Sequence, residues 1–364
     1  MERSRSWKLE RLVGHARALG LEARAVPLRI PERDRRRFAL WLAEGRHAGM
    51  AYLERTKMAR LHPEKAFPWA RGALILAAPY AFPELPVPPG GLRVGRVARY
   101  AWTRDYHAAL EDALSELVAL ARSLGLRARG YVDHGPLHEV ALARAAGLGW
   151  VGRNTLLLRE GVGSYLLLAV LLLDLPTPEV DPAPDRCGTC TRCRLSCPTG
   201  ALDGRGLDAR RCISYWTIEV RGPFPIELWN AFGDWLFGCD DCQEVCPWNR
   251  FSSKLGYWRG FLPEPGLAHP DLWDFVRLSN RGFQRYYGTS AFSRPGRVGM
   301  ARNAIRLLYA LGHREFEAYL EAAAADPSPV LRKVAGQGFF LLGRPRLLDD
   351  PDPEVAAFVR ALWG

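Results

Sequence analysis

Cys187–Leu202 reads CGTCTRCRLSCPTGAL, four cysteines in eleven residues with a proline after the last. The spacing C-x2-C-x2-C-x3-C-P is the bacterial ferredoxin run, in which three thiolates hold one cubane cluster and the fourth ligates the other. One such run requires a reciprocal partner. GCDDCQEVCPWN supplies it with Cys239, Cys242 and Cys246, again followed by proline, and Cys212 in ARRCISYW is the missing thiol. The pattern assigns Cys187, Cys190, Cys193 and Cys246 to one 4Fe-4S cluster and Cys197, Cys212, Cys239 and Cys242 to the other. Two four-thiolate zinc sites are the alternative. A third cysteine at the same spacing, and the Cys-Pro endings, favour iron and sulfur.

All eight cysteines of the 364-residue chain lie in this block, so they serve one local purpose. The N-terminus lacks the apolar stretch of a secretory signal, and the longest apolar run, Tyr165 to Leu173, is about half of what a spanning helix needs. A cytoplasmic protein without a membrane partner is expected, and there dense cysteines indicate metal or catalysis rather than disulfides. The formal net charge of +11 suggests a polyanionic partner, most simply nucleic acid; an arginine-rich proteome is the plainer explanation.

Three segments are expected. Residues 1–180 read as an α/β domain: Ala108 to Leu124 repeats apolar residues at helical spacing, while Gly72 to Ala78 and Tyr165 to Leu173 are apolar enough for buried strands. A proline-rich linker, Leu175 to Pro184, leads into a ferredoxin-type domain over 181–255. Residues 256–364 read as a helical HEAT-like module, because DPSP at Asp326 and DPDP at Asp350 each open an apolar helix with proline in its first turn; an ordinary helical bundle is the alternative. Paired clusters transfer electrons, so a redox cofactor is expected in the α/β domain, yet no dinucleotide fingerprint or P-loop is present.

The other distinctive stretch is Gly130 to Leu158, GYVDHGPLHEVALARAAGLGWVGRNTLLL. Asp133 ends a short strand before a Gly-Pro break, where such folds place working side chains; it also reads as an N-cap for the next helix. His134 and His138 are spaced like a metal pair, but Gly135 and Pro136 interrupt the helix this needs.

This stretch, with WTRDYHAAL (Trp102 to Leu110), the ferredoxin run with PTGAL, DARRCISYWTIE, GCDDCQEVCPWN and RNAI at Asn303, resembles the epoxyqueuosine reductases across most of the chain and in the same order. The resemblance implies an oxidoreductase that completes queuosine at the wobble position of tRNA. The clusters would reduce cobalamin to Co(I), a reductant protein would feed them, and Asp133 would donate the proton as the epoxide oxygen leaves. A donor working near neutral pH needs a raised pKa. The resemblance further implies cobalamin contacts from Arg60, Leu157, Leu168, Ser214, Tyr215 and Thr217 as well as Asp133, with His134 placed to share the proton. Solvated arginine and plain core are the alternatives for Arg60 and the leucines. For a tRNA anticodon loop the candidates are Arg221 and one helix face bearing Arg297, Arg302, Asn303 and Arg306, which is otherwise a solvated face. A monomer is expected. A reductive dehalogenase-like enzyme and a non-catalytic iron-sulfur or RNA-binding module are the other readings.

Overall fold

The structure is a computed structural model in which residues 2–250, 252 and 256–364 are described, with side chains from Ser6 onward; the expected boundary at 255 lies outside them. The chain forms two compact units that interleave along the sequence rather than following three consecutive segments. The first comprises residues 1–83, 105–209 and 241–262, the second 84–104, 210–240 and 263–364.

In the first unit a four-stranded sheet runs in the order Glu22–Pro27, Gly72–Pro79, Leu166–Leu173, Ala128–Val132, every pair antiparallel. The Gly72 and Leu166 strands read as unbroken apolar runs because they are central and covered on both faces. Ala73, Ile75, Ala77, Val170 and Leu172 pack with Ala141 and Leu142 of the helix Glu139–Ala145. On the other side run the helices Glu2–Ala18 and Tyr106–Ser123, the latter burying Leu110, Leu114, Leu117 and Ala121. Completely burying one such leucine contributes about 2 kcal/mol, so this layer carries the unit. The cysteine block has no comparable core: from Cys187 to Gly200 no residue is fully buried. It is tied to the sheet layer by polar bonds instead. Ser164 donates to Gln243 (2.9 Å), Asn249 donates to Ser164 (2.9 Å) and to the Gln243 carbonyl (2.7 Å), and Arg153 donates to the Gly188 carbonyl (2.6 Å). Gly163, at φ +84°, is a glycine because a Cβ there would meet the Asn249 amide at 1.9 Å.

The second unit is mainly helical, with Arg96–Val97 pairing parallel to Trp235–Phe237. Its helices Phe316–Ala324, Pro329–Leu341 and Pro353–Trp363 follow one another, and proline stands in the first turn of the last two. The two D-P-x-P starts share a device. Asp326 accepts the Ser328 N–H and a two-pronged contact from Arg297 (2.8 and 3.0 Å); Asp350 accepts the Asp352 N–H and Arg332 (2.9 Å). Among the described residues no helix is long and apolar enough to cross a membrane.

The helix Gly296–Ala310 corrects the expected RNA face. Arg297, Arg302, Asn303 and Arg306 are all buried, the last three to within 1%. Arg302 donates to the carbonyls of Trp216, Val220 and Gly222, Asn303 to that of Thr217, and Arg306 to those of Gly233 and Trp235. Arg302 also stacks on Phe224 and Arg306 on Phe232. An i, i+4 basic pair looks solvated in sequence; here the guanidinium groups supply donors to backbone carbonyls at the end of the helix Ile213–Ile218, in the loop after it and around the strand Trp235–Phe237. Burial pushes both guanidinium pKa values down to about 9, yet they stay charged near neutral pH. Arg306→Ala, which strands two buried carbonyls, is expected to cost about 3 kcal/mol or more in a urea unfolding curve, and Arg306→Lys to recover only part of it. A loss within experimental error would show that these bonds are dispensable.

Candidate active site and cluster-ligand segments

Asp133 leaves the Ala128–Val132 strand in a tight three-residue turn closed by the His134 N–H on the Val132 carbonyl, with φ +49°. A side chain in that left-handed region costs about 1–2 kcal/mol, least for Asp and Asn. Two anchors hold the loop there. Gly135 sits against the Tyr131 ring, where a Cβ would come within 2.7 Å. Arg60 donates to the Gly135 carbonyl (3.0 Å) and the Leu137 carbonyl, and its Nε donates to Thr56 (2.9 Å). Arg60 is therefore buried with its donors engaged on Thr56 and the acid loop, and is not the solvated arginine of the alternative reading. Nor is Asp133 an N-cap, since the following helix starts at Glu139 after His138.

The Asp133 carboxylate accepts from the Tyr106 hydroxyl (2.7 Å) and lies 3.8 Å from His107 Nε2, whose Nδ1 is 2.7 Å from Asp105. Its side chain is 66% exposed. His107 holds its pKa below the usual carboxylate value; partial burial pushes the other way, and the Tyr106 hydrogen bond and the Arg60 charge add to the lowering. The sequence requirement of a raised pKa is thus not met by the protein alone. His134 turns to Glu111 (3.6 Å) instead of Asp133, so the histidine facing the acid is His107. His138 does not pair with His134 around a metal: its ring packs on Phe38, with centroids 5.2 Å apart, and burial pushes its pKa down to about 4. Glu139 is the raised carboxyl here, pushed up to about 8 by burial, with Arg60 at 3.8 Å only partly opposing.

Register places the residue after Val132 opposite Leu168, because Val132 pairs with Ala169. Leu166, Leu167 and Leu168 are only half-buried while the rest of their strand is buried. Leu166 and Leu168 share one face of the strand and Leu167 the other, so an exposed carboxyl beside the half-exposed Leu166 and Leu168 suits a ligand with an apolar face. Leu157, in contrast, is core.

Each of the eight cysteines is half-buried. Burial, then the charges of Cys246, Cys187 and Cys190, push the Cys193 pKa up. Burial likewise raises Cys246, with Cys187 and Cys190 adding to it. These four thiols are thus close enough to feel one another's charge, as ligands of one cluster must. Cys197 accepts the Ala201 N–H (3.2 Å). In the second unit, Cys212 precedes the helix Ile213–Ile218, and the Thr217 hydroxyl accepts the N–H of Gly238 (3.0 Å), the neighbour of Cys239. Thr217 is fully buried and also donates to the Ile213 carbonyl (2.8 Å), so its hydroxyl serves the ligand segments; Ser214 and Tyr215 are half-buried. Arg221 is exposed and donates to the Arg294 carbonyl. The sequence reading does not single out Tyr106 and His107 as parts of the site, although DYH lies inside the motif WTRDYHAAL, and it sets Glu139 beside the His134 and His138 metal reading rather than beside Asp133.

Family models match twice: a 4Fe-4S double cluster binding domain over residues 186–249, and epoxyqueuosine reductase QueG, DUF1730, over residues 60–134. The epoxyqueuosine reductase of Shigella dysenteriae is 36% identical over 291 residues, spanning 78% of this chain and 75% of that protein. An epoxyqueuosine reductase solved with a tRNA-Tyr epoxyqueuosine-modified stem loop superposes with a TM-score of 0.86 at 28% identity, over 98% of both chains. One from Bacillus subtilis, with its catalytic aspartate loop swung out of the active site, gives the same TM-score, identity and coverage.

Glu139 makes a pH prediction. Its folded pKa of about 8 stands above the ordinary 4.5, so the stability it contributes is full below about pH 4.5 and is lost as pH rises through 8. Glu139→Gln is expected to remove that decline from chemical unfolding curves taken between pH 5 and 9. An unchanged decline would mean that the carboxyl is ionised in the fold.

Proposed function

The chain belongs to the epoxyqueuosine reductase family, and we propose that it reduces epoxyqueuosine to queuosine in tRNA with Asp133 as the proton donor. The observation that carries the role of Asp133 is its placement: a carboxyl held in a costly backbone conformation by Arg60 and Gly135, exposed at the sheet end beside half-exposed leucines. Cys187, Cys190, Cys193 and Cys246 hold one 4Fe-4S cluster, and the remaining thiols of the run, Cys197, Cys212, Cys239 and Cys242, hold the second. The clusters they would hold would supply a path for electrons from a reductant protein. Cobalamin is the cofactor whose broad apolar face suits Leu166, Leu168 and Asp133, and when bound it supplies the reducing centre for the carbon–oxygen bond. The chain's own part is to orient the epoxide and move protons. Covering the leucine strip removes water from Asp133 and pushes its pKa toward the range that a donor needs. The protein acts in the cytoplasm, and its last helices form a short HEAT-like module.

With Arg302 and Arg306 buried, the tRNA contact falls elsewhere in the second unit. The helix Asn280–Tyr287 exposes Arg281 and Arg285 at i, i+4, with Tyr286 beside them at 55% exposure. Two guanidinium groups for phosphates and one ring for stacking are the elements of a single-strand contact.

Anaerobically reconstituted protein, given epoxyqueuosine-bearing tRNA and a strong reductant, is expected to yield queuosine on digestion and mass spectrometry, and to stop doing so without cobalamin. No queuosine from protein loaded with both clusters and cobalamin would overturn the assignment. Charge reversal of Arg281 and Arg285 is expected to weaken stem-loop binding roughly 10-fold or more at low salt and to flatten its salt dependence. An unchanged salt slope would remove this helix from the interface.

A further inference from the structure

Turning an epoxide into an alkene breaks both carbon–oxygen bonds, forms a carbon–carbon double bond and releases the oxygen as water. Two electrons and two protons are consumed. The reductant supplies the electrons; one carboxyl supplies one proton and must be recharged before it can give another. The surroundings of Asp133 contain one group built to do this.

His107 projects from the first turn of the helix Tyr106–Ser123, whose N-cap is Asp105. The Asp105 carboxylate accepts from the His107 backbone N–H (2.9 Å) and lies 2.7 Å from its Nδ1, which fixes the ring and places a proton on that nitrogen. Nε2 then faces Asp133 at 3.8 Å, an ion-pair distance that a small ring movement turns into a hydrogen bond. The ring stacks on Tyr106 (centroids 4.1 Å), and the Tyr106 hydroxyl donates to the same Asp133 oxygen (2.7 Å). The His107 side chain is one-third exposed, so it can take protons from solvent.

We propose that His107 is the proton feed of Asp133: Asp105 orients the imidazolium, Nε2–H returns a proton to the Asp133 carboxylate after each transfer, and water reprotonates the ring. This rests on the reading of Asp133 as donor. The charged groups around the pair have defined roles. Partial burial disfavours the imidazolium, but Asp133 and Asp105 together raise its pKa above the ordinary 6.5. Arg60 acts on Asp133 in the opposite sense from Glu139, which is largely neutral. His134 stands 6.0 Å from the His107 ring, and its Nε2 is 3.6 Å from Glu111. Asp133 itself is held ionised in the resting protein, the state in which a feed is required.

The test has two arms on the full-length holoenzyme. In the first, histidine side chains labelled with carbon-13 are titrated by NMR. His107 is expected to titrate above 6.5 in the wild type, and lower in both Asp105→Asn and Asp133→Asn. An unmoved titration in Asp133→Asn would overturn the coupling, whether or not the protein turns over. In the second, queuosine formation is followed against pH. The wild-type rate is expected to fall as pH rises through the His107 pKa. His107→Asn should lower kcat roughly 100-fold, leave KM for the tRNA unchanged, lose that limb, and regain rate with added imidazole. Wild-type rate and profile in His107→Asn would overturn the feed and leave the reductase reading intact. Failure of the wild type to convert substrate would instead overturn the reductase reading, with the NMR arm still deciding whether the two side chains share a proton.

Discussion

Irregular backbone inside a protein must be given hydrogen-bond donors, and in this chain the donors are buried arginines. Arg60 satisfies the Gly135 and Leu137 carbonyls of the acid loop. Arg46, 2% exposed, reaches the Gly206 and Leu207 carbonyls just beyond the first cysteine run. Arg302 and Arg306 hold carbonyls in the segments between Cys212 and Cys239. Where the chain leaves its strands and helices, the backbone has no regular ladder of its own to satisfy it. A guanidinium fork satisfies two or three carbonyls at once with one side chain and stays charged when buried, which lysine does less well.

That constraint changes the meaning of the net charge of +11. Part of the arginine excess that suggests a polyanion is internal carpentry. What remains on the surface, such as Arg281 and Arg285, is a smaller resource for RNA. The acid site shows the complementary economy: Asp133 is surrounded by donors and a cation, so its resting state is the carboxylate, while Glu139, without a hydrogen-bonding partner for one of its oxygens, carries its proton. Two carboxyls six residues apart along the chain thus hold opposite protonation states because one faces His107, Tyr106 and water and the other faces the core.

Much of this was legible beforehand. The cysteine spacing announced two clusters because ligation geometry is local and written in intervals of two and three residues. The long helix at Tyr106–Ser123 and the central strands followed from apolar periodicity, and the proline-led helices from D-P-x-P. The antiparallel order of the sheet was not legible, since a covered antiparallel strand is as apolar as a parallel one. Nor was the choice of histidine: His134 adjoins Asp133 in sequence and turns to Glu111, while His107, 26 residues away, faces the carboxyl.

By itself the sequence determined the family and the double-cluster domain and supplied the candidate ligands and acid, since each is a matter of residue type at fixed spacing. Only the tertiary structure decided which cations are free and which carboxyl is charged. Both depend on what long-range packing brings within a few ångströms of a group, and no interval along the chain records that distance.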